Sequence, residues 1–335
     1  MSHPRVSVLL PAFDAEATLG LCLESLLRQR EPRWECVLVD DGSRDRTLEL
    51  ARTYAARDRR IRVLSIPHQG LVGALAAGLA HCRAPHVARM DADDWMRRDR
   101  LGAQLSALDS QPTLCAVGSH VRMFPRSGLR DGRLAYESWL CGIETPEQVR
   151  REAFVECPIA HPTLMIRRAL LVRFGLRECG WPEDYDLVLR LLRAGHPIGV
   201  VARRLLGWRD HPHRLSRTSP AYSDAAFTAC KASHLCDSLL AAHDQYILWG
   251  YGGTGRALRR ALAQLGRHPA HIVELHPGRL GQRIHGAPVV PPERLPHLSR
   301  RPIVASVAGA GPRAEIRAAL GAMGFVEERD FVCAA

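Results

Sequence analysis

VARMDADDW, residues 87–95, is the stretch on which the fold turns. Val87 and Ala88, with Met90 after Arg89, read as the end of a buried strand that runs directly into Asp91, Asp93 and Asp94. Carboxylates this close repel one another and lose solvation if buried unpaired. The cluster therefore belongs at a strand's carboxyl end, beside something positive. Two readings fit it. A hard divalent cation, Mg²⁺ or Mn²⁺, takes oxygen ligands, and an Asp-x-Asp pair at a strand end supplies half of its shell. Alternatively the cluster is a solvated acidic turn in which Asp94 caps a helix over 95–108.

Working outward, the preceding chain alternates strands with helices. A strand over 5–10 is closed by Pro11, and a helix over 15–28 places Leu19, Cys22, Leu23, Leu26 and Leu27 on one face. A second strand, 35–39, ends at Asp40, Asp41, Gly42 and Ser43, and Asp45 stands ahead of a helix over 47–57. A third strand, 61–65, and a small-residue helix, 70–82, lead to the strand over 85–90 that delivers the acidic cluster. This order predicts an α/β fold with a parallel sheet, on which ligands bind at the carboxyl edges of the strands. Pro11, Asp40, Gly70 and Asp91 then converge on one rim.

The chain has 335 residues, 46% of them hydrophobic, enough for two domains each with its own core. Its formal charge of +11 is carried almost wholly by arginine, Lys231 being the single lysine. Such a balance suits phosphate-bearing ligands or an anionic membrane surface. No nucleic-acid-binding motif accompanies it, so no nucleic-acid partner is expected. The ten cysteines show no CxxC or zinc-ribbon spacing and read as reduced thiols of a cytoplasmic protein. Without a charged-then-apolar leader or a run of eighteen apolar residues, the chain is expected to be soluble, or at most peripheral at the inner face of a membrane.

Six blocks carry a resemblance: PAFDAEATLGLCLESLLRQ (11–29), VLVDDGSRDRT (37–47), HQGLVGALAAGLA (68–80), HVARMDADDW (86–95), HPTLMIRR (161–168) and WPEDYDLVLRL (181–191). In this order and spacing they resemble a family 2 glycosyltransferase of the GT-A fold, a Rossmann-like nucleotide-sugar-binding architecture. The resemblance covers residues 5–217. It implies a nucleotide-sugar donor, a divalent metal, and inversion at the anomeric carbon. A hydroxyl of a glycan or a lipid-linked acceptor would receive the sugar, as in surface polysaccharide synthesis. Carried over by position, Pro11, Phe13 and Glu16 line the nucleotide pocket. Asp40, with Asp41 beside it, accepts from a uracil-type base, and Gly70 faces the ribose and phosphates. Asp91 would contact the ribose or sugar and Asp93 would hold the metal. His161 and Trp181 fall on the acceptor side. In the basic stretch GWRDHPHRLSR (207–217), Arg209 or Arg214 would clamp the diphosphate and His211 would be a further metal or diphosphate ligand. Simpler roles stand beside these: a turn and helix cap for Asp40 and Asp41, a structural histidine at 161, a solvated basic loop after 207. The chain departs from many relatives in having Ala77 where asparagine or arginine is common, which weakens any ribose or phosphate contact from that helix.

An inverting transfer needs a base opposite the leaving diphosphate, so one carboxylate must stay free of metal. Glu183 and Asp184 follow Trp181 and Pro182 at the start of a helix over 185–194, whose amino end favours ionised carboxylates. The family's Glu-Asp pair matches here, nominating Asp184 as base and Glu183 as an acceptor contact. A purely capping role is the other reading.

Beyond residue 219 the pattern changes. A helical linker is expected over 220–243, then a smaller Rossmann-like α/β domain over 244–335, distinct from the glycosyltransferase domain over 1–219. The strand 246–249 opens into GYGGTGRALRRALAQLG (250–266), where Gly250, Gly252, Gly253 and Gly255 permit a tight turn and close helix approach. Glu274, at the end of a strand over 271–275, stands where a ribose-binding acid would. A third strand over 302–308 precedes a helix over 313–323. The sequence leaves open a second, nucleotide-dependent sugar-modifying activity here, although no Tyr-x-x-x-Lys relay follows. It also leaves open a non-catalytic nucleotide-sugar sensor, against which the intact Asp93 and Asp184 argue.

Overall fold

The computed structural model describes residues 3–335. The chain divides into two compact units, Met1–Arg150 with Pro158–Cys179 and Asp186–Arg214, and Arg151–Cys157 with Gly180–Tyr185 and Leu215–Ala335. This differs from a simple cut near 219: residues 151–157 and 180–185 belong with the second unit. So does helix Asp224–Cys236, in the segment expected to be a linker.

The first unit holds an eight-stranded sheet. Its strands are β1 (Val6–Ala12), β2 (Trp34–Asp40), β3 (Ile61–Ser65), β4 (His86–Arg89), β5 (Trp95–Met96), β6 (Ala116–Phe124), β7 (Met165–Arg167) and β8 (Ile198–Arg209). The order is β3-β2-β1-β4-β7-β6-β8-β5. β3, β2, β1 and β4 are parallel, as the alternation predicts. β7 then runs antiparallel to both neighbours, β8 is parallel to β6, and β5 is antiparallel to β8.

All seven residues of β1 and all seven of β2 are buried, which is why they read as near-continuous apolar runs: a central parallel strand is covered on both faces. Leu19, Leu23 and Leu26 of helix Leu19–Leu27 are fully buried, each contributing roughly 1.5–3 kcal/mol of transfer free energy. Helix Gly70–His81 lies closer to the sheet than a side chain would allow. A Cβ on Gly78 would fall 2.4 Å from Leu9 Cδ1 and 2.7 Å from Val39 Cγ2. That close seat packs the carboxyl half of the helix onto β1 and β2.

Two expected helices are shorter. The first starts at Leu19 instead of 15, because the segment before it is tied by side chains to the next loop: Asp14 N–H donates to Ser43 Oγ and Ala15 N–H to Thr47 Oγ1. The helix expected over 95–108 is replaced by β5 and a helix over Arg100–Ser110. Trp95 pairs with Gly207 of β8, and a Cβ on Gly207 would fall 2.2 Å from the Trp95 indole, so the ring lies flat against that glycine. Asp94 therefore does not cap a helix.

The second unit has a six-stranded sheet of order β11-β12-β10-β9-β13-β14, made of β9 (Gln245–Trp249), β10 (His268–Val273), β11 (Arg283–Ile284), β12 (Ala287–Val290), β13 (Ile303–Ala305) and β14 (Phe331–Cys333). All pairs are parallel except β11 with β12. β10 ends at Val273 where a strand to 275 was expected, and Leu275 is 72% exposed. Glu274 still follows the strand directly. Among the described residues no helix is long and apolar enough to cross a membrane.

Candidate active site

The carboxyl ends of β1, β2 and β4 lie side by side, through the registers Ala12 to Asp40 and Leu9 to Arg89. Pro11 is buried within β1, opposite Val39. Phe13, 39% exposed, packs against His68 with ring centroids 4.3 Å apart and the planes tilted by 31°. The sequence reading nominated Phe13 and not His68, since one histidine in a loop carries no signal until the fold brings an aromatic to it.

The two neighbouring aspartates separate here. Asp41 accepts hydrogen bonds from the backbone N–H groups of Gln69 and Gly70 at 2.8 and 2.9 Å, and His68 Nδ1 lies 2.9 Å from its Oδ2. Its carboxylate anchors the start of helix Gly70–His81, where Gly70 has φ +77, which is the capping role that stood beside the donor-contact reading of Asp41. Asp40 is 1% exposed. Its Oδ2 accepts from Ser65 Oγ at 3.3 Å, whereas its Oδ1 is buried with no hydrogen-bond partner. A buried carboxylate oxygen left unsatisfied costs about 1–3 kcal/mol, and more if charged, so it is suited to a donor supplied by a ligand. Glu16 accepts from Arg46 N–H at 2.9 Å and pairs with the Arg46 guanidinium, lacing the two loops at this edge together.

At the end of β4, Asp91, Asp93 and Asp94 place carboxylate oxygens within 4.8 Å of one another. Arg89, 5% exposed as the last residue of β4, donates to Asp91 Oδ1 at 2.6 Å and to the Met90 carbonyl. Below it Arg100, wholly buried, donates to the Arg89 carbonyl at 2.8 Å and to Gln104 Oε1 at 3.0 Å. Burial, opposed by Asp94, lowers the Arg100 pKa to about 10, so it remains a cation under the cluster at neutral pH. Arg89 had a sequence signal, a charge inside an apolar strand. Arg100 had none, because it sits in a run of arginines that reads as solvated.

His211 Nε2 lies 3.1 Å from Asp93 Oδ2. Arg209 donates its backbone N–H to Asp94 Oδ1 at 2.7 Å and its Nε to the Asp93 carbonyl at 2.8 Å, with its guanidinium 4.6 Å from the Phe124 ring centroid. Arg209 thus fastens the end of β8 to the acidic turn. Arg214 lies over the Trp208 ring at 4.6 Å. His161, 9% exposed in the turn His161–Thr163, acts on Asp91 as a nearby positive charge.

The electrostatics follow from this crowding. Burial works to raise the Asp91 pKa, but Arg89, His161 and Arg214 outweigh it and hold the group below the usual carboxylate range. Burial and the Asp91 charge raise Asp93 despite Arg214 and His211. Burial, then Asp93 and Asp91, push Asp94 well up. A lowered Asp91 beside raised Asp93 and Asp94 is the pattern of carboxylates crowded in a buried turn. Asp94 Oδ2 is also buried without a hydrogen-bond partner. Three hard oxygen donors, mutual repulsion and an orphaned carboxylate oxygen fit Mg²⁺ or Mn²⁺.

In the second unit, Glu183 and Asp184 begin helix Glu183–Arg193, two residues earlier than a start at 185 would give. Asp184 Oδ1 accepts from the Tyr185 N–H at 2.8 Å, and Glu183, 4% exposed, accepts from the Tyr222 hydroxyl. Tyr185 is buried and donates its hydroxyl to the Ala153 carbonyl at 2.6 Å. Trp181 is half-buried ahead of the helix. Tyr222 was not singled out from the sequence.

The profile of glycosyl transferase family 2 matches residues 7–174, half of the chain, and takes in the whole rim from β1 through the acidic turn to β7. The chain belongs to glycosyl transferase family 2. As a glycosyltransferase it is similar to EpsE of Bacillus subtilis, named as a glycosyltransferase, with 30% identity over 228 residues, 66% of this chain and 79% of that protein. It is also similar to AmsE of Erwinia amylovora, an amylovoran biosynthesis glycosyltransferase, at 31% over 197 residues, 57% of this chain and 71% of the other. Among solved structures, TarS residues 1–349 of S. aureus, in complex with UDP-GlcNAc, superpose with a TM-score of 0.57 at 18% identity. That match covers 77% of this chain and 71% of TarS 1–349. A mannosyltransferase of Pyrobaculum calidifontis, in complex with GDP-Man and Mn²⁺, gives 0.50 at 20% identity, covering 72% and 65%. These likenesses bear on the GT-A fold.

Proposed function

We propose that this glycosyltransferase moves a sugar from a nucleoside-diphosphate donor, a UDP-sugar, to a hydroxyl of a glycan or lipid-linked acceptor in surface polysaccharide synthesis, with inversion at the anomeric carbon and a divalent metal. The observation that carries the reading is the Asp91, Asp93 and Asp94 cluster, whose carboxylate oxygens lie within 4.8 Å of one another at a strand end, on the same sheet edge as Asp40 and its unpartnered buried oxygen. The names of EpsE and AmsE support the polysaccharide context, and the UDP-GlcNAc and Mn²⁺ complexes of the structural neighbours support donor class and metal.

In this reading Asp40 Oδ1 accepts the imide N–H of the uracil, and Phe13 with His68 offers the aromatic wall against which the base rests. Asp91 takes a hydroxyl of the ribose or sugar. Asp93 and His211 hold Mg²⁺ or Mn²⁺. The bound cation supplies charge neutralisation for the departing diphosphate. Arg214 adds positive charge for the same group. Asp184 removes the proton from the acceptor hydroxyl as the oxygen attacks the anomeric carbon, and Glu183, steadied by Tyr222, orients the acceptor. The enzyme acts at the cytoplasmic side and associates with the membrane at most peripherally, through its basic surface. A donor screen that follows nucleoside diphosphate release with Mn²⁺ tests the proposal. Release from a UDP-sugar in preference to GDP- and ADP-sugars is expected, and release from none of them would overturn it.

A further inference from the structure

The proposed transfer does not use the glycine turn of the second unit. β9 and β13 are parallel neighbours, and each is followed at its carboxyl end by a helix with glycine at its N-cap, Gly253–Gln264 after Gly252 and Ala310–Ala322 after Gly309. No side chain at either cap position bonds the first turn, whereas Ser219 and Ser223 in the same unit cap the helices they precede.

The glycines of the first turn fall into two pairs. A Cβ on Gly250 would lie 2.3 Å from Val307 Cγ2, and one on Gly255 would lie 2.1 Å from the Gly250 carbonyl oxygen. Those two let the helix close on its strand. Gly252 and Gly253 have nothing within 4 Å of where a Cβ would stand, and neither has a positive φ. Packing gives no reason for them. What their missing side chains leave open is the space in front of the helix's first N–H groups, where an anion is favoured.

An independent observation points to an occupant. Ser306 is 2% exposed and its hydroxyl has no hydrogen-bond partner. Its N–H donates to the Trp249 carbonyl at 2.8 Å, so the ladder of β13 continues through it. Alternation then puts its side chain on the face of Val304, which shares a core with Leu258 and Leu262 of helix Gly253–Gln264. Thr254, in the first turn of that helix, donates its hydroxyl to the Ser306 carbonyl at 3.2 Å. The orphan hydroxyl thus lies under the open helix end, where a phosphate oxygen would satisfy it. At the end of the neighbouring β10, Glu274 Oε1 accepts from the Tyr251 N–H at 2.6 Å and from Arg279 at 3.0 Å. Both bonds fall on one oxygen, and Oε2 is left to take a ribose hydroxyl.

We infer that the second unit binds a nucleotide by its ribose and pyrophosphate at the carboxyl edge of β9, β10 and β13, without a metal. An adenine dinucleotide and a nucleotide-sugar share that chemistry. The test is calorimetry on the full-length chain in EDTA with NAD⁺, ADP-ribose and UDP-N-acetylglucosamine, repeated on Asp40→Ala so that the first unit's donor site does not contribute. Binding at one per chain is expected for at least one of them and persists in Asp40→Ala. NAD⁺ and ADP-ribose together identify an adenine nucleotide, and UDP-N-acetylglucosamine alone a nucleotide-sugar. Gly252→Asp places a carboxylate at the cap, where it takes the same N–H groups. It should melt no lower than wild type and bind at least about tenfold more weakly. Ser306→Ala removes a buried unpaired hydroxyl, should likewise not lower the melting temperature, and weakens binding in the same direction. No binding of any of the three to wild type, or undiminished binding in both variants, overturns the inference.

Discussion

Asp94 Oδ1 receives the backbone N–H of Arg209 at 2.7 Å while the adjacent Asp93 meets His211 at 3.1 Å, so two consecutive carboxylates serve different ends of one turn. Asp94 is 1% exposed and holds the end of β8; Asp93 is the more accessible.

The pair gives the first prediction. Asp93→Ala keeps the fold and loses Mn²⁺-dependent donor affinity. Asp94→Ala lowers stability by about 1–3 kcal/mol, because the Arg209 N–H loses its buried acceptor. Calorimetry with and without Mn²⁺, beside thermal melts, separates them; donor affinity unchanged in Asp93→Ala would remove that residue from the metal site.

Asp40 and Asp41 divide in the same way. Asp40→Ala weakens UDP binding by about tenfold or more with little change in melting temperature, since it removes an acceptor with no protein donor on Oδ1. Asp41→Ala, which frees two backbone N–H groups at the start of helix Gly70–His81, costs roughly 1–2 kcal/mol of stability. Equal effects of the two on UDP affinity would contradict the division.

For the proposed base, Asp184→Asn retains donor affinity and reduces turnover by something on the order of a hundredfold or more. Glu183→Gln acts mainly through the acceptor KM, and Tyr222→Phe follows it more mildly. Near-normal turnover in Asp184→Asn would place the base elsewhere.

Glu35 supplies a pH test. It is 3% exposed and receives Ser7 Oγ at 2.7 Å, the Arg83 N–H at 2.7 Å and the Arg83 guanidinium. Burial works to raise its pKa, but the Ser7 and Arg83 hydrogen bonds outweigh it and hold the group below its ordinary 4.5. A depressed carboxylate stabilises the fold at pH above its unfolded value, and that stabilisation fades as pH falls through the folded value. Glu35→Gln should therefore melt lower than wild type at pH 7, and the gap should narrow as pH is taken below 4.5. A gap independent of pH would mean that packing, not charge, sets the effect.

How much was legible in advance differs by element. The strands β1, β2 and β4 and their helices were readable because buried parallel strands are apolar along their length, and that pattern is local. VARMDADDW declared its own position for the same reason: an apolar run ending in three carboxylates has few places to go. The six blocks likewise carried the resemblance to the family in their residues, order and spacing.

Tertiary structure decided which of two adjacent aspartates keeps a buried oxygen without a partner, because that depends on whether Gln69 and Gly70 arrive to use Asp41, nearly thirty residues away. It also decided that 95–96 is a strand, since the partner strand and the glycine under Trp95 come from 206–207. Arg100 and His68 acquired meaning the same way, from neighbours distant in the chain. The glycine turn at 250–255 was visible as a motif. Its split into two glycines required by packing and two facing open space, above a buried hydroxyl without a partner, exists only once β9 and β13 lie side by side. Local pattern encodes what a segment is. Pairing between segments far apart in sequence, which no local pattern records, determines what each polar atom is left to do.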